Sequence, residues 1–353
     1  MGNPEAARVM LERLARRRSW VARSIGAIPV LAVLWGVVYV RVAEWIDRRR
    51  FPQVGQSVRI GDRTLNLYCS GSGSPTVIFE SGFGQPGYTW RVVQPKVAAS
   101  NRACWYDRAG YGWSDPASGR RWSDSVATDL HRLLTAARVS PPYILVGHSL
   151  GGFHVRVFNA RFPQEVVGLV LVDPSNEDIG KRITDMPHGG PPPWLPSAVV
   201  HSVDFVVLQT GLWRWFMRDP GPRPAALTDR DWKLIASLRR RRKMIQAESR
   251  EAPEAGSAEI ARVAGHLDSV PMIVLTRGKP FSFADTTRGN RLLEQWIELS
   301  GELARRSSRG KQVIIRDADH FIQYDAPDAV VAAIHELANP DALRSVAPND
   351  RRQ

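Results

Sequence analysis

From Gln56 onward the chain alternates short apolar runs with helical stretches, and nothing else in it constrains the fold so tightly. The runs are Ser57–Ile60 and Thr64–Cys69 around a Gly61-Asp62 turn, then Thr76–Phe79, Ala103–Tyr106, Tyr143–Val146, Val167–Val172, Met272–Thr276 and Gln312–Arg316. The later runs are apolar almost throughout rather than alternating, as strands buried on both faces are. Between them, Ser123–Ala137 carries Val126, Leu130, Leu133 and Leu134 at helical spacing. A final helix opens near Pro327 and sets Val330, Val331, Ile334 and Leu337 on one face. The pattern predicts an α/β fold: a mostly parallel eight-stranded sheet with helices on both faces.

The rhythm stops between Asp173 and Pro271. The 97 residues 174–270 hold no clear strand series, a Pro191-Pro192-Pro193 stop, and Trp194, Trp213, Trp215 and Trp232. A connection that long must carry structure of its own. Residues 56–173 and 271–340 are therefore expected to form the sheet domain, 174–270 a helical cap inserted in it, and 341–353 a polar tail. Trp194–Met217, rich in Trp, Leu, Val and Phe, reads as cap core or as the lining of an apolar substrate pocket. The basic run Arg239–Lys243 surrounds a helix axis and reads as a solvated helix, with a surface facing anionic lipid as the alternative.

Among 353 residues, 43% are hydrophobic, a globular mixture, and the net charge is +13. Ten arginines and four acids within residues 1–50 leave only +7 for the rest, with no nucleic-acid-binding motif, so no nucleic-acid partner is expected. Two cysteines, Cys69 and Cys104, rule out a cysteine-rich zinc site or disulfide framework. Ser24–Val40 is a 17-residue uncharged run between arginine clusters. Its length lies at the lower end of the ~17–25 residues that span a bilayer. The richer arginine flank is upstream, so 1–23 is expected to be a cytoplasmic segment, 24–40 a single transmembrane anchor, and the remainder to lie outside. No small-x-small site follows Val40 to suggest a cleaved leader, and Ala6 occupies the position that myristoylation needs as Ser or Thr.

Gly147-His148-Ser149-Leu150-Gly151 sits between a buried strand and a helix-like run, Gly152–Arg161. Small glycines permit the sharp strand-to-helix turn that lifts a serine hydroxyl to the strand end, so Ser149 is the candidate nucleophile. A serine at its free pKa is a poor nucleophile and needs a base. His320 follows the last strand, where the chain order Ser, acid, His places that base. His148 is expected to point elsewhere from the turn, and His154 to serve packing or polar surface. The orienting acid is Asp173, at the end of Val167–Val172, with Asp285 as the alternative beyond Met272–Thr276. An oxyanion site needs backbone donors: Leu150, just past the serine, and Phe83, in Glu80-Ser81-Gly82-Phe83-Gly84 after the third strand. This chemistry requires no metal or cofactor.

With Ser81–Gly84, the stretch Tyr106-Asp107-Arg108-Ala109-Gly110-Tyr111-Gly112-Trp113-Ser114 and the Gly147–Gly152 turn in place, the chain from Ser57 to Ala338 resembles the α/β-hydrolase superfamily. The resemblance implies that Asp107 and Arg108 brace a loop, and that Asp173 is the acid, as in lipase-like and dehalogenase-like members. Two departures stand out: Ser81 replaces the usual histidine, and no acid directly follows the penultimate strand. A serine at 149 is unlike the carboxylate nucleophile of epoxide hydrolases and dehalogenases. The usual strand order also implies a Cys69–Cys104 disulfide. The resulting expectation is a membrane-anchored serine hydrolase cleaving carboxylic esters of hydrophobic acids, its partner a small-molecule hydrophobic ester substrate. Amide or peptide hydrolysis, as in proline-iminopeptidase-like enzymes, and a non-catalytic binding protein are the alternatives.

Overall fold

In the computed structural model, the described residues are 4–183, 207–251, 254–263, 267–281 and 285–339. Eight strands form one sheet in the order β1-β2-β4-β3-β5-β6-β7-β8. They are β1 Gln56–Ile60, β2 Arg63–Ser70, β3 Thr76–Glu80, β4 Ala103–Tyr106, β5 Tyr143–His148, β6 Val166–Val172, β7 Met272–Arg277 and β8 Gly310–Ile315. The β1–β2 hairpin and the β2–β4 pair are antiparallel, and every other pairing is parallel. This is the sheet that the apolar runs predict.

The principal helices are α1 Pro4–Arg50, α2 Ser123–Ala136, α3 Gly151–Arg161, α4 Asp229–Arg239, α5 Arg242–Glu251, α6 Glu254–Val263, α7 Thr286–Ala304, α8 Ile322–Asp325 and α9 Pro327–Ala338. Alternate strand residues point to opposite faces. Leu145, Leu169, Leu171 and Val274 join Leu130, Leu133, Leu134, Phe153 and Val157 of α2 and α3 in one buried cluster. Ile144, Val146 and Val170, pointing the other way, are equally buried. Gly168 leaves room there for Leu337 of α9, which a Cβ would meet at 3.0 Å.

Cys69 and Cys104 stand directly opposite each other in the antiparallel β2–β4 ladder and form a disulfide. The pairing implied by the family's strand order is thus present.

The chain divides into two compact units: Met1–Pro52 with Gly189–Asp219, and Gln53–His188 with Pro220–Gln353. In the first, α1 is a continuous 47-residue helix, and Arg214 pairs with Asp47 at 2.5 Å. The second holds the sheet and α4–α6. Pro191–Pro193, Trp194, most of Trp194–Met217 and the 341–353 tail lie outside the described residues.

The expectation of a membrane anchor at 24–40 is corrected. Among the described residues, no helix is long and apolar enough to cross a membrane. Seventeen residues at ~1.5 Å each give ~26 Å of helix, short of a ~30 Å hydrocarbon core. That run is also embedded in a helix whose arginines, from Arg8 to Arg50, continue on both sides. The single-pass topology and the outer-side placement of residues 51–353 fall with it.

Candidate active site

β5 runs into Ser149, whose φ of 51° lies in the left-handed region. Such a backbone is costly for a residue with a Cβ and persists only where its surroundings enforce it. Here Ser149 N donates to Val172 O at 3.0 Å, and Ser175 N donates to Ser149 O at 3.1 Å, tying the turn to the end of β6. Close approach forces the glycines on either side. A Cβ on Gly147 would lie 2.6 Å from Gly151 O, and one on Gly151 would lie 2.8 Å from the carbonyls of Glu80 and Ser81. α3 begins at Gly151, so the positive end of its dipole faces the serine.

The loop after β3 closes over this turn. A Cβ at Gly82 would stand 2.7 Å from His148 Nδ1 and 3.1 Å from Ser149 Cβ. Among the described residues, the backbone N–H groups of Phe83 and Leu150 donate to no protein acceptor. Both donors lie on the two segments, the loop after β3 and the turn after β5, that meet at Gly82 and Ser149.

Asp173, at the tip of β6, is fully buried, with φ 43°. Three donors converge on its carboxylate. Trp296 Nε1 (2.8 Å) and the Arg277 N–H (3.0 Å) reach Oδ1, and His320 Nδ1 reaches Oδ2 at 2.7 Å. The carboxylate only accepts from these groups, so Nδ1 of His320 is the donor, and in the neutral form of the ring Nε2 keeps its lone pair. His320 itself sits in the loop between β8 and α8. Its main chain is held as well: the His320 N–H donates to Asp319, which pairs with Arg277.

His148 is buried, and its Nε2 donates to the His320 carbonyl at 2.9 Å. The two rings lie 4.7 Å apart, and His148 lies 5.2 Å from Phe321. The His320 loop therefore rests on the residue that precedes Ser149. Burial, and then the proximity of His320, hold the His148 pKa well below the histidine range, so it is neutral. No hydrogen bond joins Ser149 Oγ to His320 in this structure. In free enzymes such bonds are often long and tighten in the complex.

A profile of the alpha/beta hydrolase family matches residues 77–333. The chain belongs to that family. The uncharacterized protein YqjL of Bacillus subtilis is 23% identical over 267 residues, 76% of this chain and 85% of YqjL. A 2-hydroxymuconate semialdehyde hydrolase from a Pseudomonas species is 31% identical over 125 residues, 34% of this chain and 44% of that protein. The chain thus spans most of the first relative and less than half of the second. The crystal structure of a probable hydrolytic enzyme from Pseudomonas aeruginosa superposes with a TM-score of 0.55 at 19% identity, covering 82% of this chain and 96% of the other; the likeness is one of fold.

In this alpha/beta hydrolase, Asp173 and His320 meet, while Asp285 does not join them. Asp285 is an exposed N-cap of α7, where its side chain accepts from Arg288 N at 3.0 Å, and that N–H holds its carboxyl below the usual range. Sequence reasoning missed His148 as a contact of the His320 loop, and it missed Trp296 and Arg277 as partners of the acid. Periodicity gives no signal for any of these. His154 is buried rather than on the surface, with Nδ1 2.8 Å from Ser123 Oγ. The basic run is not a solvated helix either. Arg241 is buried and donates to Gly112 O at 3.1 Å, and Lys243 donates to Ser114 O at 2.6 Å. Arg239 ends α4 and Arg242 begins α5, so the run is split at a helix junction.

Proposed function

We propose that this alpha/beta hydrolase is a serine hydrolase of carboxylic esters of hydrophobic acids, acting through Ser149, His320 and Asp173. The observation that carries the reading is the His320 Nδ1 to Asp173 Oδ2 bond, which fixes the tautomer whose Nε2 can take a proton from Ser149. Ser149 Oγ attacks the ester carbonyl as Nε2 accepts its proton. The resulting oxyanion is received by the N–H groups of Phe83 and Leu150, aided by the N-terminus of α3. Collapse breaks the C–O bond, and the imidazolium returns its proton to the leaving alcohol. Water then attacks the acyl-enzyme, giving one proton to His320, and Ser149 recovers it as the acid departs. Phe83, 37% exposed beside this turn, supplies an apolar surface suited to a hydrophobic acyl group.

A fluorophosphonate probe and a panel of p-nitrophenyl esters against amino-acid anilides test the reading. Wild type should label and cleave esters, and Ser149→Ala should do neither. Faster turnover of anilides would move the activity to amide hydrolysis. Absence of labelling in the wild type would leave a non-catalytic binding protein.

A further inference from the structure

The loop that carries Phe83 is gripped from behind by a buried ionic cluster, and the grip begins on an inserted helix. Arg108 is 2% exposed. Its Nη1 donates to Ser81 O at 2.6 Å and its Nη2 to Gly82 O at 2.9 Å. The same guanidinium donates to Glu80 Oε1 at 2.5 Å and to Glu251 at 2.9 and 3.1 Å. Tyr111 OH donates to Glu251 Oε2 at 2.6 Å and accepts from Gly84 N at 3.3 Å. Burial works against the Arg108 charge, yet Glu251 and Glu80 hold its pKa well above the usual arginine value.

We infer that Arg108, Tyr111 and Glu251 are positioning residues for the oxyanion site, through which helix α5 of the inserted segment aims the Phe83 N–H. The inference rests on the hydrolase reading above. The Gly82–Phe83 peptide is trans, and in a planar trans peptide C=O and N–H point in opposite directions. Holding Gly82 O on Arg108 therefore turns the Phe83 N–H away from the cluster, toward the side where Gly82 meets His148 and Ser149. The loop is fixed at Ser81 O, Gly82 O and Gly84 N, and the Phe83 N–H between the last two has no backbone acceptor. All three attachments lead to the Glu251 carboxylate, 143 residues from Arg108 in the chain. α5 is itself anchored by Lys243 on Ser114 O. A lysine at 108 could not replace this fork, because a single ammonium cannot hold two carbonyls and two carboxylates in one plane.

The test compares Tyr111→Phe, Glu251→Gln and Arg108→Lys with wild type in the full chain, using a p-nitrophenyl ester and a trifluoromethyl ketone of matching acyl length. The ketone forms a tetrahedral adduct with Ser149 and reports the oxyanion site directly. Removing or misaiming one such donor costs ~10²–10³ in kcat at most. Glu251→Gln and Arg108→Lys should lower kcat by roughly 10–100-fold, and Tyr111→Phe by a smaller factor. KM should stay within about twofold, and ketone affinity should fall in step with kcat/KM. Changes in melting temperature with kcat and ketone affinity intact would make the cluster merely structural and overturn the inference, as would a fall in kcat without loss of ketone affinity. Should Arg108→Lys fail to fold, Tyr111→Phe, which removes one hydroxyl, decides alone. Absence of Ser149-dependent turnover in wild type would overturn the hydrolase reading itself, whereas Ser149-dependent turnover indifferent to all three variants would overturn only this inference.

Discussion

Asp173 reaches His320 across 147 residues of chain, Oδ2 to Nδ1 at 2.7 Å, while its other oxygen is already occupied by Trp296 and the Arg277 N–H. That division of the carboxylate decides what an amide would do in its place. In Asp173→Asn, two N–H donors would hold the amide oxygen and leave the NH₂ facing His320. The imidazole would then have to accept at Nδ1 and carry its proton on Nε2, where it cannot take one from Ser149. A fall in kcat of ~10³–10⁴ is expected, with KM little changed. Asp285→Asn should stay within about twofold of wild type, since Asn caps a helix about as well as Asp. Steady-state kinetics of both variants on one ester checks this. A collapse confined to Asp285→Asn would transfer the acid's role to that residue.

Gly82→Ala should act without replacing any proposed catalytic side chain. Its methyl would need space 2.7 Å from His148 Nδ1 and 3.1 Å from Ser149 Cβ, so the loop must withdraw. Displacing the Phe83 donor by a fraction of an ångström should cost about 10²-fold in kcat. Slower labelling of Ser149 by a fluorophosphonate, with the melting temperature near wild type, is the expected signature.

Two histidines fold in neutral form. Burial pushes His148 and His154 well below the ordinary value of 6.5, assisted by His320 in one case and by Arg108 and Arg121 in the other. Below pH 6.5 the unfolded chain binds protons that the folded chain refuses. Their contribution is therefore present above that pH and is lost as pH falls, at up to ~1.4 kcal/mol per pH unit for each histidine. Urea midpoints between pH 8 and pH 5 should fall, and His154→Gln should flatten the decline. A decline as steep in His154→Gln as in the wild type would contradict this.

Glu248 has the opposite sign. Burial raises its carboxyl to about 7, and its oxygens lie 3.4 and 3.9 Å from where a Gly84 Cβ would stand. The folded state favours the protonated acid, so this contribution is present below 4.5 and is lost as pH rises to about 7. Glu248→Gln should thus melt a few degrees higher than wild type at pH 8, and the difference should vanish near pH 4.5. Parallel melting curves at the two pH values check the sign.

The Cys69–Cys104 bond closes a loop with a separation of 35 residues. Loop closure of that length corresponds to about 4 kcal/mol of stabilisation, acting mainly through the unfolded chain. The Cys69→Ala, Cys104→Ala double variant should lose about that much in urea unfolding. Intact mass before and after alkylation without reductant should show no free thiol in the wild type.

The sheet was legible because a strand buried on both faces must be apolar along its whole length, and those runs coincide with β3–β7 to within a residue or two. Ser149 was legible for a largely local reason: Gly147 is required by its contact with Gly151 within the turn, and Gly151 by the carbonyls of Glu80 and Ser81 that close over it. His320 and Asp173 followed from chain order and strand ends. What could not be read was every contact set by tertiary approach. His148 meets a carbonyl 172 residues away, and the pairing of Arg108 with Glu251 depends on how α5 docks. Asp285 looked eligible because it is the first acid after β7, but it satisfies a helix end instead. The arginine-flanked run at 24–40 misled because charge asymmetry orients a span only where there is enough apolar length to make one.

Housing the acid at the tip of β6 has an architectural consequence for its neighbour. Beyond Arg277, whose N–H is engaged, the described start of the turn leading to α7 carries no proposed catalytic group, yet the N–H groups of Gly278 and Lys279 both donate to Ala318 O, at 3.2 and 3.0 Å. Length changes at Gly278 or Lys279 would therefore pull on the loop that carries His320, although the acid itself sits on another strand.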